Sequence, residues 1–303
     1  MSGHDHHHHH NNFQAFNRAF AIALTINFAF VFIEAFYGWA ANSMGLIADA
    51  IHNLSDVLGL GLAWFANWLL TRKAQQHFSY GYKRTTILAA VSNALLLVTS
   101  SIFIALGSVR KLLQPEIVHE QTMIWVALIA IAVNGGTALL FMRDRHRDLN
   151  IKAAFLHLAY DALISLAVVV TGIIILYTGW QWLDPVAGLI IVVTIFIGTW
   201  GLLRDCVTLL LDAVPQHIDM SEVRHYLCQI PGVRSVHDLH IWGLSTAECA
   251  LTAHLVMPET SLSDHDYETI NHDLEHQFNI HHVTLQVERG DNHDPCGQVQ
   301  TCG

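Results

Sequence analysis

Residues 45–64 read GLIADAIHNLSDVLGLGLAW, and residues 153–170 read AAFLHLAYDALISLAVVV. Each stretch is apolar enough to lie in a bilayer, yet each carries a His-x-x-x-Asp pair: His52 with Asp56, and His157 with Asp161. An ionisable side chain at membrane depth is costly and by default marks an ion or substrate pathway. Residues four apart share one face of a helix, with a rise of about 6 Å between them. Each helix therefore offers one imidazole nitrogen and one carboxylate oxygen to the same ion. Two such helices make a His2Asp2 cage suited to Zn²⁺. Asp49 and Gly59 extend the face of the first helix, and Ser165 that of the second. Side chains that merely glue helices together also include His, Ser and Asp, but gluing rarely needs two carboxylates beside two imidazoles.

Working outward, the chain is 52% hydrophobic and only 13% charged, with a mean hydropathy of +0.37, which is the composition of a membrane protein. Six apolar stretches reach the roughly 20 residues that a crossing helix needs: 17–39, 45–70, 86–109, 121–142, 152–177 and 185–204. The fold expected is thus an α-helical membrane protein with six transmembrane helices. Arg72, Lys73, Lys83 and Arg84 follow the second stretch, and Arg143, Arg145, Arg147 and Lys152 follow the fourth. The alternate connections at 40–44 and 178–184 carry neither Lys nor Arg, and the one between the third and fourth stretches only Arg110 and Lys111, so the positive-inside rule places both termini in the cytoplasm. The first sixteen residues lack the basic start and cleavage site of a signal peptide, so the first span is expected to be retained.

The apolar runs stop near Asp212. From Asp212 onward stand fourteen Asp and Glu against only Arg224, Arg234 and Arg289, which accounts for the net charge of −10. Such a region repels nucleic acid and anionic lipid and attracts cations. Its pattern reads αββαβ: a helix at MSEVRHYLCQI, ended by Pro231-Gly232, strands at SVHDLHIWGL and AECALTAHLVM, a helix over LSDHDYETINHDLEHQF with Ser263 as N-cap, and a last strand at HVTLQVE. The division expected is residues 1–16 as a His-rich cytoplasmic segment, 17–211 as the transmembrane domain, 212–290 as a cytoplasmic α+β domain, and 291–303 as a flexible tail with two of the five cysteines. With the cysteines odd in number and mostly on the cytoplasmic side, no disulfide framework is implied.

With these residues quoted, the chain resembles the cation diffusion facilitators, a family of zinc–proton antiporters. The likeness rests on NSMGLIADAIHNLSD, HLAYD, VHDLHIWGL and TLQVE, and is nearest to bacterial zinc exporters with a His-rich start such as HDHHHHH at residues 4–10. The resemblance implies a homodimer in the bacterial inner membrane, alternating access, and a zinc-binding cytoplasmic domain of ferredoxin-like form. It places the transport site on His52, Asp56, His157 and Asp161, with Asp49 in the pathway or supporting the ligands. In the cytoplasmic domain it places metal on His237, His254 and Glu288, and less directly on His281. Seven residues along a strand span about 23 Å, so His281 and Glu288 cannot share one ion; His281 serves a second site or takes a partner from the other protomer. Where some members carry another zinc site, HFSYGYKR has Tyr82 in place of the His, which leaves Lys83 and Arg84 to sit near lipid headgroups.

The function expected is export of Zn²⁺, with Cd²⁺ or Co²⁺ as further cargo, in exchange for protons, with no enzymatic activity and no cofactor beyond Zn²⁺ as cargo and cytoplasmic ligand. The alternatives are an intramembrane metalloenzyme, which would want HExxH or paired histidine boxes that the chain lacks, and a metal sensor, which would not need a cage midway between two aqueous phases. Glu34 and Asn27, seven apart on the first span, either line an access cavity or pair with a neighbouring helix. Asp184-Pro185 reads as an ordinary helix start.

Overall fold

The computed structural model describes residues 9–142, 149–290 and 300–301. Six long helices come first: α1 (His9–Ala40), α2 (Met44–Leu70), α3 (Thr85–Leu113), α4 (Glu120–Phe141), α5 (Leu149–Thr178) and α6 (Leu183–Leu210). Among the described residues five of them, α2 to α6, are long and apolar enough to cross a membrane, and α1 contributes a shorter apolar stretch, Thr25–Ala40. The five agree with the expected stretches to within a few residues. α1 begins at His9 rather than at residue 17, because nothing between His9 and Phe16 breaks a helix. The rest of the His-rich start lies outside the described residues.

The chain divides into two compact units, one made of the residues up to Gly61 with Asn93–Trp200, the other of Leu62–Ser92 with the residues from Gly201 on. In the first unit Leu46, Met123, Val168 and Ile175 are among the buried side chains of a continuous apolar core. Its outer surface is apolar as well: Phe103, Ile129, Leu163 and Ile197 are exposed, as lipid-facing side chains are. Trp39, Tyr177, Trp180 and Trp182 stand exposed near helix ends, where amphipathic rings favour headgroup depth.

Asp184 was expected to start its own helix, but its carboxylate caps another. It accepts hydrogen bonds from Ser43 Oγ at 2.5 Å, the Met44 amide at 2.6 Å and the Gly45 amide at 3.2 Å, the orphan donors at the start of α2. The anion also suits the positive end of that helix. At the other end of the tetrad, a Cβ on Gly59 would come within 2.6 Å of Asn93 Oδ1, so the Asn93 amide of α3 rests directly on the bare backbone of α2 there.

The second unit holds α7 (Met220–Cys228), β1 (Ser235–Gly243), β2 (Cys249–Val256), α8 (Asp264–Phe278), β3 (Ile280–Glu288) and the short β4 (Gln300–Thr301). The strands form one sheet in the order β3-β2-β1-β4, with β2 and β3 parallel and the other pairs antiparallel. β4 was not expected: part of the supposed tail pairs with Ser235 and Val236, satisfying an otherwise open edge of β1. Ser263 caps α8 as expected, in a capping box with Asp266, and Asn279 closes the helix in the left-handed conformation. Val223, Leu227, Ile270 and Leu274 of the two helices are buried in one cluster with Val236, Ile241, Leu251 and Leu255 of the sheet. Gly232 turns the chain at a φ of 91°, where a side chain would also collide with Thr260.

Lys83 and Arg84 do not stand free for headgroups. Lys83 Nζ lies 2.5 Å from Glu248 Oε2, and Arg84 Nη2 lies 2.5 Å from Asp212 Oδ1. The Thr246 amide donates to Thr86 Oγ1 at 3.1 Å, and Tyr80 meets His282 edge-on. Cys206 and Cys249 are buried free thiols.

Candidate metal centres

α2 and α5 bring the two His-x-x-x-Asp pairs together. His52 Nε2 lies 3.6 Å from Asp56 Oδ2 and 3.6 Å from Asp161 Oδ1. His157 Nε2 lies 3.4 Å from Asp56 Oδ2 and 3.6 Å from Asp161 Oδ2. These separations are too long for good hydrogen bonds. They are near the edge length of a zinc tetrahedron, about 3.3–3.4 Å for zinc–ligand distances of about 2.0–2.1 Å; His52, Asp56 and Asp161 each place one ligand atom within 4.8 Å of the others, while His157 stands at the margin of that group and faces the other oxygen of Asp161. The two rings stand 6.3 Å apart and are steeply inclined, so their nitrogens approach from different directions.

Burial is uneven around the cluster. The Asp161 side chain is 3% exposed and that of His52 13%, while that of His157 is 46% exposed, so the cluster opens on the His157 side. His52 Nδ1, Asp56 Oδ2 and Asp161 Oδ1 are buried without a hydrogen-bond partner among the described residues. Each such atom costs about 1–3 kcal/mol, and the two carboxylate oxygens, both facing His52 Nε2, suit a charged guest better than an apolar core. Asp49 stands apart from the cluster, buried one turn before His52, with its Oδ2 accepting from Ser165 Oγ at 2.7 Å and its Oδ1 facing Asn53 Nδ2 at 3.4 Å.

A second cluster sits on the sheet. β1 pairs His237 with His254, and β3 pairs Gln286 with His254, which puts Glu288, two residues on, on the same face. Glu288 Oε2 lies 3.1 Å from His237 Nε2, and its Oε1 lies 3.0 Å from His254 Nδ1. The structure adds Asp238, which the sequence reading passed over: its carboxylate lies 3.5 Å from His254 Nε2 and 2.9 Å from His240 Nε2. His240, taken for a plain surface residue, is thus drawn to the cluster's edge.

A β-bulge between His237 and His240 explains Asp238. Val236 and Ile241 pair with Leu255 and Leu251, which are four positions apart on one face of β2, although the first two are five positions apart. One extra residue must be accommodated, and Asp238 takes a φ of 51° to do so. In sequence only the odd spacing of apolar residues in VHDLHI hints at it. His281 lies at the far end of β3 from Glu288, exposed and outside this group. Cys296 and Cys302, considered with His281, lie outside the described residues.

Residues 20–211 match the family model of the cation efflux transmembrane domain, and residues 215–290 match that of the cation efflux protein cytoplasmic domain. The chain is 33% identical over 298 residues to the cadmium, cobalt and zinc/H(+)-K(+) antiporter of Bacillus subtilis, covering 96% of this chain and 94% of that protein. It is 34% identical over 299 residues to the metal cation efflux system protein CzcD of Cupriavidus metallidurans, covering 98% and 92% of the two chains. With the zinc transporter ZitB of Escherichia coli it shares 31% identity over 283 residues, 92% of this chain and 89% of that one.

Proposed function

The chain belongs to the cation efflux family, whose members are transporters rather than enzymes, and we propose that it exports Zn²⁺ from the cytoplasm in exchange for protons. Cd²⁺ and Co²⁺ are further cargo of the same site. The observation that carries this reading is the four-residue cluster of His52, Asp56, His157 and Asp161, with nitrogen–oxygen separations of 3.4–3.6 Å between membrane-spanning helices. Asp49 orients the ligand-bearing face through Ser165. Names of relatives as zinc, cadmium and cobalt transporters support the choice of cargo.

Zinc needs neutral imidazole and ionised carboxylate, so loading the cage displaces protons from it. Without metal, carboxylates held close together in a low dielectric favour proton uptake. Metal and protons therefore occupy the site in alternation, which is the physical basis of antiport. In this reading α1 completes a set of six crossings, both termini face the cytoplasm, and the protein resides in the bacterial inner membrane. The division into a transmembrane domain at 17–211 and a cytoplasmic domain at 212–290 follows.

The cytoplasmic domain is of ferredoxin-like form and joins two protomers. Its cluster offers two imidazole nitrogens and a carboxylate, with Asp238 as a further oxygen, a donor set that fits Zn²⁺. His237, His254 and Glu288 hold this ion, which braces a small domain whose own core is slight. His281 belongs to a different site or faces the partner protomer.

Proteoliposomes loaded with a zinc-sensitive dye test the proposal under an imposed pH gradient. Zinc should accumulate uphill when the compartment it enters is acidic, and a protonophore should stop it. Accumulation that ignores the gradient would leave a uniporter or a differently energised pump.

A further inference from the structure

Glu34 of α1 and Asp49 of α2 are both fully buried in the first unit. The two carboxyl groups are within hydrogen-bond reach of each other. Asn53 Nδ2 faces both, 3.4 Å from Glu34 Oε2 and 3.4 Å from Asp49 Oδ1. Ser165 Oγ supplies Asp49 Oδ2 from α5, while Glu34 Oε1 is buried with no donor among the described residues. Among the described residues neither Lys nor Arg is paired with either carboxyl group. Neither Lys nor Arg occurs in residues 25–71, 85–109, 112–142 or 153–203. The charged groups that bear on it are Asp161 of α5 and His52 of α2; α4, which packs on α1, has Glu120 in its first turn as its one charged residue.

Two neighbouring carboxyl groups that are dehydrated and have neither Lys nor Arg beside them are suited to sharing one hydrogen. We propose that Glu34 and Asp49 form a proton-holding site, separate from the cage of His52, Asp56, His157 and Asp161, whose proton is exchanged for the charge of the transported metal. The inference rests on the transporter reading above. When a divalent cation enters the cage, its field reaches the pair through the dry interior between α2 and α5, and the ionised form of the pair gains a counter-charge. The carboxyl O–H bond then breaks, its electron pair stays on the oxygen, and the proton passes to water. When the metal leaves, the pair takes a proton back. The cargo's two charges are thus offset partly by protons leaving the cage and partly by one leaving this pair.

The test counts protons released as Zn²⁺ binds to the purified full-length protein in weakly buffered detergent solution, read with a pH-indicator dye. Wild type, Glu34→Gln and Asp49→Asn are compared at neutral pH, with zinc affinity measured separately at alkaline pH, where the pair is ionised in the wild type. Both variants keep the shape of the replaced group. The expected result is about one proton fewer per zinc in each variant, with alkaline zinc affinity changed less than about threefold in Glu34→Gln. Release equal to wild type in a variant that still binds zinc overturns the proposal. Wild-type binding that releases no protons overturns the antiport reading instead, so the two failures are distinct. Release that depends on potassium at fixed pH in the wild type, and loses that dependence in Glu34→Gln, would assign the site to a monovalent cation and likewise overturn it. If Glu34→Gln does not fold, Asp49→Asn decides on the same criterion.

Discussion

Asp184, in the first turn of α6, accepts a 2.5 Å hydrogen bond from Ser43, which precedes α2. The same carboxylate takes the Met44 and Gly45 amides, so the helix that carries His52 and Asp56 is anchored at its start by a residue 141 positions away.

Asp184→Asn keeps the shape but loses the charge that strengthens three hydrogen bonds. Bonds to charged groups contribute about 1.5–3 kcal/mol, so the variant should unfold at a lower temperature in detergent and bind zinc more weakly. An unchanged melting midpoint would show that the cap does not hold α2.

Asp161→Asn removes an ionised ligand and preserves volume. Zinc uptake into proteoliposomes should fall to the protein-free background, while yield and elution volume stay as in wild type. Transport at the wild-type rate would remove the cage from the account.

The Arg84–Asp212 pair is about half exposed at both ends, so its worth is about 0.2–1 kcal/mol after solvent screening. Arg84→Asp should therefore lower stability only slightly, and adding Asp212→Arg should restore it. A double-mutant cycle on thermal unfolding, at low and high salt, reads the coupling and its screening.

Burial pushes the Cys249 thiol above its ordinary value. The thiolate is the reactive form, so iodoacetamide should label Cys249 at pH 7 more slowly than an exposed thiol, and labelling should keep rising at pH values where an ordinary thiol has levelled off. Mass spectrometry of the peptide after timed labelling measures this. Neutral-pH labelling as fast as in the denatured chain would contradict it.

What the sequence determined by itself was everything that rests on local periodicity. Apolar runs of about 20 residues located the long helices, because the bilayer imposes their length. A spacing of four fixed His52 with Asp56 and His157 with Asp161 on helix faces, because the helix repeats every 3.6 residues. Ser263 announced its cap, since that interaction spans three residues. Only the tertiary structure decided which distant groups meet. Asp184 reads like an ordinary helix start and instead caps α2, and Lys83 and Arg84 read like headgroup anchors and instead pair with Glu248 and Asp212. Asp238 enters the sheet cluster through a bulge, which shifts the parity of every later residue on β1 and leaves no local motif. Glu34 and Asp49 approach each other across two helices, and the orientation that allows it is set by packing against neighbouring helices and not by either sequence.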